Sequence, residues 1–433
     1  MINKDFSRRD WLTGISFGAV AGALGASSVQ AQEHPPTARV NGAALNVRDF
    51  GAVADGKTDD TEAFVAALKS ASDGALKTVF VPFGRYLIKG NLTVPANVCL
   101  EGCSQAPARN SNDGSVLLAV ADAGSLDGKP FLTLHTNASL RGITIFYPEQ
   151  KMTNPPVAYP WTIRGSGDNI SLLNVLLVNP YQAVDFGTTP AGRHFIDGLY
   201  GQPLYRGLFI DQCYDVGRVE NVHFWSFWGG WDGPLYEFMR KEAIAFILAR
   251  TDWEFLSNCF CIGYHIGYQF TQRNSGPGNC LLTQCGSDIG PTAVRVESSQ
   301  THAGISFVNG QFMSGIEVAE GNSGPVKFTA CGFWGIPTTD HHAMLNGTGH
   351  VTFNSCHFIG WGQKDIKSPA IHAKRGGVTV SNCDFIDLGK TQVVIENAMD
   401  AAIIVGNRLR GKNLITNNAQ DRAQIGFNVV TPK

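Results

Sequence analysis

Apolar and polar residues alternate in short runs along this chain, and the runs share one phrase. "VSNCDFI" begins at Val380, "FNSCHFI" at Phe353, "FTACGFW" at Phe328, "FVNGQFM" at Phe307 and "LSNCFCI" at Leu256; looser copies are "VENVHFW" at Val219 and "LLNVLLV" at Leu172. Aligned on the third residue, the column reads Asn174, Asn221, Asn258, Asn309, Ala330, Ser355, Asn382 and Gly406. Two residues earlier the positions are apolar, from Leu172 to Ile404, and three later they run through Phe224, Phe312, Phe333, Phe358 and Phe385. Period-two alternation marks a strand with one buried face. Each copy therefore predicts a strand, with Asn221, Asn258 and Asn309 interior and stacked. Cys259, Cys331, Cys356 and Cys383 share one column and read as small buried apolar residues.

The spacing of the copies selects the architecture. From Asn309 onward the intervals are 21, 25, 27 and 24 residues. Intervals of this size fit one coil of a parallel β-solenoid, whose coils bury their faces only by stacking. Antiparallel hairpins would need turns every eight to twelve residues or so and would not keep one residue type in register. The earlier intervals are 47, 37 and 51 residues, which predicts loops expelled from the middle coils. Loops on a rigid scaffold are where binding and catalysis concentrate.

Composition agrees with a turn-rich β protein. Charged residues are 16% and glycines number 49 in 433 residues. A net charge of −2 gives no general attraction to nucleic acid or to an anionic membrane. At the N-terminus, Arg8 and Arg9 precede an apolar Gly/Ala-rich run ending in Val29-Gln30-Ala31, which resembles a twin-arginine export signal. The expected division is a signal over residues 1–31, a linker over 32–43 and a solenoid over 44–433, exported to the periplasm or beyond with no membrane span in the mature chain. Ten cysteines in an exported chain would suggest disulfides, but folding before export disfavours obligatory ones, and no zinc-type CxxC pair occurs.

"NVRDFGAVADGKTDDTEAFVAALKSA", from Asn46 to Ala71, is followed by "TVFVPFGRYLI" and "LTVPANVCLEG". Thr58 or Asp59 can cap a helix whose apolar face carries Ala63, Phe64, Ala67 and Leu68. This segment resembles the entrance of pectate-lyase superfamily proteins related to polygalacturonases. The resemblance implies an all-β, single-stranded right-handed parallel β-helix with a short N-terminal capping helix, residues 44–102 forming the cap and first coil. It also implies a carbohydrate polymer as substrate. Neither the Gly-His-Gly of polygalacturonases nor the Asp-Pro-His-Glu of alginate epimerases occurs. The expectation is an exported, carboxylate-dependent glycoside hydrolase without cofactor, monomeric or homotrimeric. The alternatives are a lyase or epimerase on a uronic-acid polymer, with a divalent cation such as calcium, or a non-catalytic carbohydrate-binding envelope protein.

Candidate residues gather between 164 and 254. Asp168, Asp215 and Asp252 stand six residues before the Asn column, where turn residues are expected but stacked carboxylates could also serve as acid and nucleophile. Asp211 joins them as a candidate acid, with Arg164 and Arg250 as cations for an ionised partner or an acidic sugar. Glu254 falls in a column otherwise holding Ile170, Gly217, Ile305, Val326, Val351 and Val378, so either the strand bulges and turns it outward, which is the favoured reading, or the carboxylate is buried with a partner. "HFWSFWGGWDGPLYEF" offers Trp228 and Trp231 as a sugar platform, and Asp232 and Glu237 as further acids.

Overall fold

The computed structural model describes residues 44–104 and 113–432; the proposed export signal and linker, with Arg8 and Arg9, lie outside the described residues. Each coil contributes three short parallel strands. Two lie in successive ladders of a 28-stranded sheet, and the third lies in a separate 13-stranded sheet. One coil shows the pattern: Val326–Thr329, a corner at Ala330, Gly332–Trp334, a connection, then Ala343–Leu345. Its residues pair in register with the next coil, Phe328 with Phe353, Phe333 with Phe358 and Ala343 with Ile371. The fold is a parallel β-helix, as the intervals and the entrance segment imply.

Stacking makes the core. Phe307 lies 5.1 Å from Phe328 and Phe328 lies 5.3 Å from Phe353, each pair within 9° of parallel. Phe333, Phe358 and Phe385 form a second stack at 4.8 Å spacing. Each fully buried ring is worth roughly 1.5–3 kcal/mol, realised only when the neighbouring coil is present. The cysteine column is buried as expected, and all ten cysteines are free thiols.

The asparagine column is stacked, but on the outside, which corrects the expectation of an interior ladder. Asn221, Asn258 and Asn309 are exposed. The column residues from Asn174 to Asn382 have φ of 53° to 57° wherever they are not glycine, a left-handed corner joining the two ladders. That corner breaks the alternation: the residue two before and the residue one after both face inward, an interval of three rather than two. Asparagine suits such a corner because it tolerates the left-handed region better than most side chains. Asn258 Nδ2 still donates to Asn221 Oδ1 at 3.3 Å, and Asn221 Nδ2 to Asp197 Oδ1 at 2.7 Å.

Two of the three long intervals hold whole coils rather than loops. Gly198, with φ 71°, and Gln284, with φ 55°, are corners of the same kind. The interval of 47 residues is thus coils of 24 and 23, and that of 51 is coils of 26 and 25. Both copies escaped the pattern because Gly201 and Ser287 stand where the phrase expects a large apolar residue. The 37-residue interval alone expels a long segment, residues 225–243, which includes helix α2 (Gly233–Glu242).

At the entrance, helix α1 (Thr61–Asp73) buries Ala63, Phe64, Ala67, Leu68 and Ala71. The N-cap is Asp60 rather than Thr58 or Asp59, and its carboxylate accepts from Val53 N and Ala54 N in the preceding loop instead of capping the helix, while Asp59 Oδ1 accepts from the first helical amide, Thr61 N, at 3.1 Å. Among the described residues no helix is long and apolar enough to cross a membrane.

Candidate functional site

The outer face of the 13-stranded sheet is unusual for a solvent-facing surface. Its strands include Trp161–Ser166, Gln182–Phe186, Arg206–Ile210, Ile244–Leu248 and Ile266–Phe270. Phe209, Ile244, Ile247, Ala249 and Ile266 form an apolar cluster there, separate from the interior core, with Trp161 packed against it. Trp161 stacks on Phe209 at 6.1 Å. The hairpin of Gln272–Arg273 and Gly276–Pro277 leans over this face and sets the Arg273 guanidinium 4.3 Å from the Phe209 ring centre. Arg206, on the entry side of the same sheet, lies 3.5 Å over the Tyr205 ring. Its Nη1 donates to the carbonyls of Tyr205 and Glu242. Burial lowers the pKa of Arg206 from its ordinary value, against the tyrosines at 205 and 181 and the carboxylate of Glu242, and the charge of Arg273 adds to that lowering. No ion pair among the described residues involves Arg206 or Arg273.

Arg164 lies two coils before Phe209 in the same column and is compensated: its Nε donates to the buried Asp185 at 2.7 Å. Asp185 also accepts from the amides of Gly187 and Thr188, so both its oxygens are occupied.

The aspartates expected to be catalytic lie where the chain leaves this sheet. Asp168 and Asp215 do not stack directly, because the coil of Gly198 intervenes and supplies Arg193. That guanidinium bridges both, at 2.6 Å to Asp168 and 3.1 Å to Asp215. The Val216 amide and then Arg193 hold the Asp215 carboxyl below its ordinary pKa. Asp252 is held by both terminal nitrogens of Arg250 at 2.8 and 2.9 Å and by Gln300 at 2.9 Å. Asp211 is buried and accepts from the amides of Gln212 and Arg250. These are turn formers and ion pairs, not free acids.

Asp232, Glu237 and the tryptophans lie on the opposite edge, where the chain enters the sheet. Asp232 and Glu237 are exposed beside α2, so they do not meet the other aspartates. Trp231 packs with Trp225 and Tyr236, and the Trp228 amide donates to Gln202 Oε1 at 2.7 Å. The two regions grouped together from the sequence are therefore the two walls of the sheet. Its floor, with Trp161, Arg206, Phe209 and Arg273, was missed. The signal for it was the aligned third strands, "WTIRGS", "QAVDF", "RGLFI" and "IAFIL".

Glu254 corrects the favoured reading of an outward bulge. It is fully buried, pairs in regular register with Cys280, and accepts or shares a proton with His194 Nε2 at 2.9 Å. Its Oε2 has no partner.

Comparison with known proteins agrees with the fold. Residues 44–182 match the family model described as rhamnogalacturonase A/epimerase, pectate lyase-like. Alginate lyase 7 of Azotobacter vinelandii is 42% identical over 64 residues, a stretch spanning 13% of this chain and 8% of that protein. The A-module of mannuronan C-5 epimerase AlgE6 from Azotobacter vinelandii superposes with a TM-score of 0.60 at 17% identity, covering 90% of this chain and all of the module. An N-terminal fragment of gene product 12 of bacteriophage phi29 gives the same TM-score at 15% identity, covering 86% of this chain and 67% of the fragment. At these identities the likeness is one of fold.

Proposed function

From a pectate lyase-like parallel β-helix, we propose that the outer face of the 13-stranded sheet binds a uronic-acid polysaccharide, and that the protein acts on it as a lyase or epimerase. One observation carries this reading: Arg206 and Arg273 lie beside an apolar floor with Trp161 and Phe209, and among the described residues neither forms an ion pair, Glu242 acting on Arg206 only at longer range. Apolar ring faces take the C–H faces of pyranoses, and guanidinium groups take sugar carboxylates.

The chemistry follows from charge. Neutralising the uronate carboxylate with Arg206 and Arg273 makes the adjacent C5 proton more acidic. Tyr205, whose ring Arg206 covers, is the residue offered as the base for that proton. The electron pair left at C5 then either expels the C4 oxygen, which leaves as a hydroxyl on taking the proton held by the base or one from water, giving elimination, or takes a proton from water on the other face, giving epimerisation. Hydrolysis would need a carboxylic acid free to protonate the leaving oxygen. Asp168, Asp215 and Asp252 are each already engaged by a guanidinium, which weighs against that route. The calcium expected of a lyase does not fit the floor either, since Asp185 and Asp252 are occupied by arginines and amides.

The test is incubation with a panel of acidic and neutral polysaccharides. Ultraviolet absorbance of an unsaturated uronate marks elimination, and deuterium uptake at C5 from heavy water marks epimerisation. New reducing ends without absorbance would return the assignment to hydrolysis. Neither activity together with no retention on any acidic polymer would overturn the site.

A further inference from the structure

The interior column of Ile170, His194, Gly217, Glu254, Cys280 and Ile305 has a gap where Gly217 has no side chain. His194 and Glu254 belong to coils on either side of it, since Phe195 pairs with Arg218 and Arg218 with Phe255. Their side chains meet across the gap, and a Cβ on Gly217 would lie 2.3 Å from Glu254 Oε2 and 2.6 Å from His194 Cε1. Cys213 reaches the same point from the turn after Arg206–Ile210. The His194 nitrogen, the Cys213 sulfur and a Glu254 oxygen lie within 4.8 Å of one another, and all three residues are fully buried.

We propose that His194, Cys213 and Glu254 bind one divalent transition-metal ion, with the preferences of zinc, inside the coil stack. His194 Nδ1 lies 2.8 Å from the carbonyl of Ala191, which only accepts, so Nδ1 carries the proton. The Nε2 lone pair of the neutral ring then points at Glu254 Oε1, acceptor against acceptor at 2.9 Å. Something positive must lie between them. A proton satisfies that contact alone and leaves Oε2 buried without a partner. A metal ion satisfies it and also uses the sulfur and the second carboxylate oxygen. A histidine that ligates through one nitrogen while its other N–H donates to a backbone carbonyl is the usual supporting arrangement.

Charge and chemistry agree. A thiolate, a carboxylate and a neutral imidazole balance a dication, which leaves no net charge in an apolar interior. Imidazole and thiolate with one carboxylate suit zinc rather than calcium or magnesium. The His194–Glu254 distance needs little adjustment, because tetrahedral zinc–nitrogen and zinc–oxygen bonds separate their ligand atoms by about 3.3 Å, while the Cys213 sulfur, within 4.8 Å of both, has to swing in. In the structure the Cys213 thiol lies 2.8 Å from the carbonyl of Asp215, so binding displaces that proton and turns Sγ to the ion. A closed site of this kind loads as the coils form and holds them together; it does no chemistry on substrate.

The full chain is expressed in zinc-supplemented medium, purified without chelator and analysed for bound metal. One equivalent of zinc per chain is expected, falling below a tenth in Cys213→Ser and in Glu254→Gln, both near-isosteric. Reconstitution with cobalt(II) should give a thiolate-to-cobalt charge-transfer band that Cys213→Ser abolishes while its circular dichroism stays native. The site is overturned if the wild-type chain, folded and supplemented, carries no stoichiometric metal, or if cobalt binds without a thiolate band.

Discussion

Arg193 reaches from the middle of three coils to bridge Asp168 in the coil before and Asp215 in the coil after, at 2.6 and 3.1 Å. One cation placed between two carboxylates removes the repulsion that would have raised the pKa of one of them. Replacing Arg193 with alanine should therefore raise the Asp215 pKa towards its ordinary 3.8, incompletely because the Val216 amide still donates. A depressed carboxylate stabilises above its unfolded pKa and loses that contribution as pH falls through the folded value. The variant should thus differ from wild type in stability at neutral pH and converge with it in acid. Carboxyl titration by NMR checks the shift; an unchanged Asp215 would remove Arg193 as a cause.

Arg206→Ala and Arg273→Ala should each weaken binding of an acidic polysaccharide by about 1.5–3 kcal/mol, the range for a hydrogen bond to a charged group. Asp215→Asn should leave turnover unchanged, since the turn lies at the wall. Affinity measured at low and high salt separates the two. Equal losses for all three variants would move the site from the sheet to its edge.

His342 is fully buried, and burial lowers its pKa to about 4, against the hydrogen bond to the Ile359 carbonyl. Its neutral form is favoured in the folded state, so its contribution is present above the unfolded pKa near 6.5 and is lost as pH falls towards 4. The loss across that window should be about 2–4 kcal/mol. Denaturant titrations of wild type and His342→Gln, which keeps a donor, should diverge there in slope. Parallel profiles would mean that the ring gains water or moves.

Ala330 occupies a left-handed corner, with φ 53°, that its neighbours fill with asparagine or serine. Ala330→Asn should raise stability by about 0.5–1 kcal/mol, because asparagine tolerates that conformation and the side chain faces solvent. A melting temperature at or below that of wild type would show that the corner carries no strain.

The coil architecture was legible because strand length, apolar columns and interval are set by local pairing, which every coil repeats. The phase of the asparagine column was not, although an interval of three between the columns flanking it, as at Leu256 and Cys259, already required a corner. The coils at Gly198 and Gln284 were hidden for a different reason: Gly201 and Ser287 leave the interior row without its large side chain. Missing those coils concealed Arg193, which explains the aspartates, and His194, which explains Glu254. The site floor escaped because its residues come from five third strands, each too short to declare a period alone.

The outer column of the 13-stranded sheet reads Arg164, Asp185, Phe209, Ile247, Gln269 and Arg295, one residue from each successive coil. Coils repeat at about 4.8 Å, close to the length of one pyranose, so a polymer lying along the axis would meet one row per sugar. Those rows are chemically different: two joined as an ion pair, an aromatic ring, an aliphatic chain, an amide and an arginine paired with Glu297 and Glu317. A chain displaced by a single sugar would put every unit against the wrong row. The scaffold repeats while its surface does not, and on the proposed reading that mismatch would give a periodic polymer one preferred position and one preferred direction.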